Sequence, residues 1–127
     1  MPTILIPCFN ESSSIGFVIK ELEGVLAPLK ENFLIVVIDD CSTDDSLSIL
    51  TSYQITASNC SLKVLSTEMN QGHQSAIHQG LFFIEKECQG KVIIMDGDGE
   101  DDPAVIPQLL KETEADIVQV KRGKRSE

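Results

Sequence analysis

Asp96-Gly97-Asp98 sets two carboxylates at alternate positions with a glycine between them. At the end of a strand, that spacing lets both turn toward one point. A hard divalent cation such as Mg2+ or Mn2+ takes oxygen ligands of this kind, commonly one or two carboxylates together with substrate phosphates rather than a full protein cage. Gly97 and Gly99 allow the backbone to approach a ligand closely. A solvated acidic turn has the same composition, so the pair alone does not decide between the two. Asp96-Gly97-Asp98-Gly99-Glu100 also loosely resembles the start of an EF-hand loop. That reading fails, because the sixth position is Asp101 instead of glycine and Pro103 interrupts the loop.

Three further segments carry polar groups suited to a nucleotide. In Ile38-Asp39-Asp40-Cys41-Ser42-Thr43-Asp44, acids directly follow an apolar run, where burial is costly unless the carboxylates are used. Asp39 and Asp40 can accept hydrogen bonds from a nucleobase N–H or a ribose hydroxyl. Ser42, Thr43, Asp44 and Asp45 suit the cap of a following helix. Ile6-Pro7-Cys8-Phe9-Asn10-Glu11 occupies the turn that carries G-x-G-x-x-G in a dinucleotide-binding domain, yet it has no glycine, which argues against NAD or FAD. Pro7 fixes that turn, Phe9 can lie against a base, and Glu11 can reach a ribose, although core packing and a first-turn helix acid are the plainer readings of the last two. Asn70-Gln71-Gly72-His73-Gln74 precedes a helical pattern, and Gly72, His73 and Gln74 suit phosphate or sugar contacts there. His78 reads as structural or surface.

The elements that must position these groups alternate. Strands are expected at Thr3–Ile6, Phe33–Ile38, Leu62–Leu65, Lys91–Met95 and Asp116–Val120. Ile15, Val18, Ile19, Leu22, Val25 and Leu26 follow helical spacing, with Ser12 or Ser13 as N-cap. Further helices are expected near Asp45–Thr51, around Ala76 to Ile84, and over Pro103–Glu112, the last opening on proline where a missing N–H costs nothing. Phe33 to Ile38 is apolar without a break, as a strand buried on both faces requires. Four strand–helix pairs and a final strand imply a mostly parallel sheet with helices on both faces. Ligands of such sheets bind beyond the carboxyl ends of the strands, where the four polar segments fall.

A length of 127 residues fits one domain, 1–127. The net charge of -10 argues against nucleic acid as a partner, which would call for a basic face. Four cysteines, Cys8, Cys41, Cys60 and Cys88, have no metal-ligand spacing and read as reduced thiols. No apolar run is long enough to span a membrane and there is no signal-peptide pattern, so a cytoplasmic chain is expected.

Taken together, Ile4–Glu11, Val36–Asp44, Asn70–Gly80, Val92–Pro103 and Asp116–Arg125 resemble, in order, the motifs of the family-2 glycosyltransferases of the GT-A fold, within them the polyprenyl-phosphate and dolichyl-phosphate sugar transferases. The resemblance implies inverting transfer of a sugar from a UDP- or GDP-sugar to an acceptor such as a polyprenyl phosphate. Pro7, Phe9, Glu11 and Asp39 would hold base and ribose, with Asp40 nearby. Asp96 and Asp98 would ligate Mg2+ or Mn2+ through the diphosphate, Glu100 would be a third ligand, and Arg122 would lie near the phosphates. Cys41 stands where the family carries glycine, Gly97 and Gly99 where alanine and leucine are more common, and Glu100 where glutamine is usual. The family continues past the equivalent of Glu127 with an acceptor-side region that carries the general base and often membrane helices. The expectation is therefore an incomplete catalytic domain, membrane-associated in a longer parent, with a sheet edge that could pair with a second copy. The alternative is a nucleotide-sugar-binding module without turnover. A signalling receiver domain shares the acidic pocket but needs an aspartate after its third strand, where this chain has Ser66-Thr67-Glu68.

Overall fold

The computed structural model describes residues 1–87, 90–112 and 116–120. Alternation of apolar runs and helical patterns becomes five strands and four helices among these residues. They are β1 (Thr3–Cys8), α1 (Ile15–Leu26), β2 (Phe33–Asp39), α2 (Ser46–Ser52), β3 (Cys60–Ser66), α3 (His73–Glu87), β4 (Val92–Ile94), α4 (Ile106–Glu112) and β5 (Ile117–Gln119), with a 3-10 turn at Pro103–Val105 leading into α4. The strands lie in the order β3-β2-β1-β4-β5, and every pairing is parallel.

The period of two in each strand divides the core. Ile4, Ile6, Phe33, Ile35, Val37 and Ile93 point to the face covered by α1, α2 and α4. Leu5, Val36, Ile38, Val92 and Ile94 point to the face covered by α3. β2 is central and buried on both sides, so its sequence is apolar at every position from Phe33 to Ile38. Helix α1 buries Ile15, Val18, Ile19, Leu22 and Leu26, the stripe its spacing foretells. Gly80 lets α3 sit close on the sheet: a Cβ there would stand 2.5 Å from Leu5 Cδ1 and 3.2 Å from Ile38 Cγ1.

Some boundaries differ from the sequence reading. β1 runs through Pro7 to Cys8. In that strand Thr3 N–H and Leu5 C=O bond toward β4, and Pro7 has the same parity beyond the last ladder pair, Leu5–Ile94. Its missing N–H thus falls where no partner strand stands, and no ladder bond is lost. Ser14, not Ser12 or Ser13, takes the N-cap position of α1, and its hydroxyl lies 2.8 Å from Gly97 O instead of capping its own helix. The helix expected from Pro103 opens as a 3-10 turn in which Asp102 accepts from Ala104 N–H at 3.0 Å. Helix α3 begins at His73, so the polar segment supplies its first turn.

Candidate functional site

The crossover from β1 runs to β2 on one side and the chain returns through β4 on the other. A crevice therefore opens above β1 and β4, the reversal point at which sheets of this type take ligands. A cavity of about 380 Å3 fills it. Pro7, Cys8, Phe9 and Glu11 form the wall beyond β1, and Asp96, Gly97 and Asp98 the wall beyond β4. Asp40, Asn70, Gly72, His73 and Ala76 close it from β2 and from the start of α3.

Local sequence explains each wall. Asn10 turns the chain with φ 54°, a left-handed value that asparagine tolerates better than most residues. Its side-chain oxygen accepts from Thr43 N–H at 2.8 Å, and its own N–H donates to Ser42 Oγ at 2.9 Å. Ser42 in turn donates to Asp39 Oδ1 at 2.6 Å. Glu11 N–H donates to Ser46 Oγ at 2.8 Å. The β1 and β2 loops are thereby laced together, and Phe9 is left 43% exposed at the rim, free to lie against a flat ligand. Asp44 accepts from the Ser46 and Ser12 N–H groups, and the bonds with Ser46 lead those that hold its carboxyl down at about 2.

On the opposite wall, Asp101 is buried and its Oδ2 accepts from Asp96 N–H at 2.9 Å. This carboxylate orients the turn that carries Asp96 and Asp98. His73 Nε2 stands 3.7 Å from Asp96 Oδ1 and joins the start of α3 to that turn. The N-terminus of a 15-residue helix faces the cavity, so unpaired-end N–H groups and the helix dipole favour a negative ligand group there. Burial raises the Glu11 carboxyl above its ordinary value, and the nearby charges of Asp98, Asp96 and Asp44 add to the rise. Burial, followed by the charge of Asp39, pushes the Cys8 thiol up to about 12, so this cavity-lining sulfur stays protonated and is no nucleophile at neutral pH.

The structure brings Pro7, Phe9, Glu11, Asp40, Gly72, His73, Asp96 and Asp98 into one cavity. It does not bring all the expected residues there. Asp39 is 1% exposed behind the wall, with both carboxylate oxygens taken by the N–H and hydroxyl of Ser42. Gln74 is exposed on the first turn of α3 and does not line the cavity. Glu100 is exposed, its N–H donates to Asp98 Oδ1 at 2.9 Å, and it too stays off the lining. No three His, Cys, Asp or Glu side chains gather as a metal cluster among the described residues. Arg122 lies outside the described residues. A pair of cavity-lining carboxylates still fits Mg2+ or Mn2+, since such ions complete their shell with substrate phosphates and water.

Sequence reasoning missed Asp101, Ser14 and Asn10 as organisers of the site. Asn10 carried a signal, an asparagine between a strand and a helix. Asp101 carried none, since its burial depends on how the chain folds back after Gly99.

Residues 3–127 match the family model described as Glycosyl transferase family 2. The chain belongs to that family. Undecaprenyl-phosphate 4-deoxy-4-formamido-L-arabinose transferase of Pseudomonas syringae pv. syringae (strain B728a) is 34% identical over 128 residues, covering 98% of this chain and 36% of that protein. Dodecaprenyl-phosphate galacturonate synthase of Rhizobium johnstonii is 26% identical over 113 residues, 88% of this chain and 32% of that protein. Among solved structures, S. aureus TarS 1-349 in complex with UDP superposes with a TM-score of 0.56 at 30% identity, over 76% of this chain and 27% of TarS 1-349. The α/β architecture of this family-2 chain is thus the GT-A type that the sequence motifs implied, and the chain spans about a third of the length of the curated relatives it matches. No described helix is long and apolar enough to cross a membrane.

Proposed function

We propose that this chain is the donor-binding part of a glycosyltransferase that moves a sugar from a UDP-sugar to a polyprenyl phosphate with inversion at the anomeric carbon. One observation carries the reading: in a family-2 chain, Asp96, Asp98, Glu11 and His73 converge on one cavity at the reversal point of the sheet. Names of relatives that act on undecaprenyl and dodecaprenyl phosphate support the acceptor class. UDP in the similar TarS structure supports uracil over guanine.

Phe9 offers its exposed ring to the base, with Pro7 in the same wall of the cavity. Glu11 accepts a ribose hydroxyl. The first turn of α3, from His73 onward, receives diphosphate oxygens through its N–H groups and the imidazole, while the Gly72 N–H is already held by Asp40. Asp96 and Asp98 hold Mg2+ or Mn2+. When bound, that ion supplies Lewis-acid neutralisation of the departing nucleoside diphosphate. Asp101 keeps the two carboxylates aimed by fixing the Asp96 N–H. None of the cavity residues is assigned the role of general base.

Calorimetric titration with UDP, UDP-sugars and GDP-mannose, first with Mn2+ and then with EDTA, tests the proposal. UDP binding that disappears in EDTA supports it. Preference for GDP would overturn the donor assignment, and binding indifferent to EDTA would overturn the metal assignment.

A further inference from the structure

Asp101 accounts for the hold on the Asp96 N–H, but the direction of Asp98 is set further along the turn. The Gly97 carbonyl belongs to the same planar peptide as the Asp98 N–H, so a bond to that oxygen orients the backbone from which the Asp98 side chain departs. Such a bond comes from another element. Ser14 Oγ donates to Gly97 O at 2.8 Å, between residues 83 apart in sequence. Glu11 O at 3.4 Å and Glu11 Oε1 at 3.5 Å are further from the hydroxyl, so the short bond takes its single proton.

Ser14 has the N-cap position of α1, yet its side chain makes no capping bond, so the helix makes no use of the hydroxyl. It stands on a firm base, since α1 buries Ile15, Val18, Ile19 and Leu22 in the core. The turn above it is the softer partner, with Gly97 and Gly99 on either side of Asp98. Both glycines lie against this end of α1. A Cβ at Gly97 would stand 3.1 Å from Ile15 Cδ1, and one at Gly99, where φ is 84°, would stand 3.8 Å from Ser14 Cβ. Other contacts act on the same turn: Asp101 on the Asp96 N–H, the Glu100 N–H on Asp98 Oδ1, and His73 beside Asp96. The Ser14 bond differs from these in falling on the Gly97–Asp98 peptide itself. Ser14 is not part of the cavity lining. We infer that Ser14 is a positioning residue for Asp98: its hydroxyl fixes the Gly97–Asp98 peptide on the start of α1 and so aims the Asp98 carboxylate at the cavity, without touching the ligand.

Ser14→Ala leaves the carbonyl of the buried Gly97 without this donor, and an orphaned acceptor favours a peptide turned toward water. Ser14→Thr keeps the hydroxyl at an N-cap position that accepts threonine. The pair of variants therefore separates the bond from the side chain's bulk.

Two measurements on the whole chain test this. In the first, NMR order parameters are compared for the Asp98 N–H and for the N–H groups of α1. Ser14→Ala should lower the order at Asp98 and leave α1 unchanged, and Ser14→Thr should restore it. Unchanged order at Asp98 would overturn the inference, and so would a loss centred on the first turn of α1, which would make Ser14 an ordinary helix cap. The second measurement rests on the proposed donor site and reads UDP affinity in Mn2+ by calorimetry. Affinity should fall about fivefold in Ser14→Ala, the worth of one net hydrogen bond, and return in Ser14→Thr. Unchanged affinity in the alanine variant, or equal losses in both variants, would overturn the inference. Should Ser14→Ala fail to fold, Ser14→Gly removes the same hydroxyl with a residue that an N-cap position tolerates. If the wild type binds no UDP, the donor reading fails and the order parameters alone decide the role of Ser14.

Discussion

Asp96 and Asp98 sit on the same short turn but are built in differently. Asp96 is tied at its N–H to the buried Asp101, and its side chain stands beside His73, whereas Asp98 accepts from Glu100 N–H at a half-exposed position. Asp98→Ala should therefore spare the fold, with a stability change within about 1 kcal/mol. On the proposed function it should reduce metal-dependent UDP binding by about a hundredfold, because the charge that would hold the cation is worth several kcal/mol. Calorimetry and a melting curve on one preparation check both halves, and unchanged affinity would remove Asp98 from the site. At this scale the sequence was legible wherever a residue's chemistry was local. The two carboxylates, Glu11 and His73 were readable because each follows a strand or starts a helix. Cys41 adopts φ 61°, which gives a conformational reason for the glycine that the family motif carries there. The division of labour between Asp39 and Asp40 was not readable, since neighbouring residues on an emerging strand point to opposite faces and only the packed loops show which donors each one meets.

At the far end of α1 from the cavity, a second buried carboxylate fastens one element to another. Glu23 accepts from Thr56 N–H at 2.8 Å, Ala57 N–H at 2.9 Å and the Tyr53 hydroxyl at 2.7 Å, which ties α1 to the connection between α2 and β3. Burial pushes its carboxyl up, but these donors together outweigh burial and leave it below the ordinary value. A lowered folded-state value means that the unfolded chain binds the proton more readily. The stabilisation is thus present above the unfolded value of about 4.5 and is lost as pH falls through the folded one. Glu23→Gln should cost about 1–3 kcal/mol at pH 7, because an amide opposes one of the donors. The gap between variant and wild type should narrow below about pH 4.5. Denaturant titrations at pH 7 and pH 4 measure it, and a gap constant with pH would refute the role. Five strands and four helices were foreseeable because long apolar periods dominate them. The shift at Ser14 was set by a tertiary partner, Gly97, and that at Pro7 by where the pairing with β4 ends, whereas the 3-10 start at Pro103 is local, capped by Asp102. Glu23 falls within the apolar stripe of α1 but outside its hydrophobic logic, so nothing in periodicity marked it for burial.

A net charge of -10 on a chain of 127 residues makes a diphosphate an unfavourable partner by itself. The cavity concentrates that problem, for Glu11, Asp96 and Asp98 share its lining. A nucleotide and a divalent cation should therefore each bind weakly alone and strongly together, since each supplies the charge the other needs. On the proposed function only the folded chain binds the pair, which should therefore raise the melting temperature by mass action, by about 2.7 kcal/mol at a hundredfold excess over Kd. For a domain of this size that corresponds to a shift of about 10 °C. The decisive quantity is the comparison with Mn2+ alone and UDP alone in matched ionic strength. A joint shift well above the sum of the separate ones places ion and diphosphate in one site, bridged at Asp96 and Asp98. Additive shifts would put them at separate places and would leave the acidic turn of β4 as a surface feature with no part in donor binding.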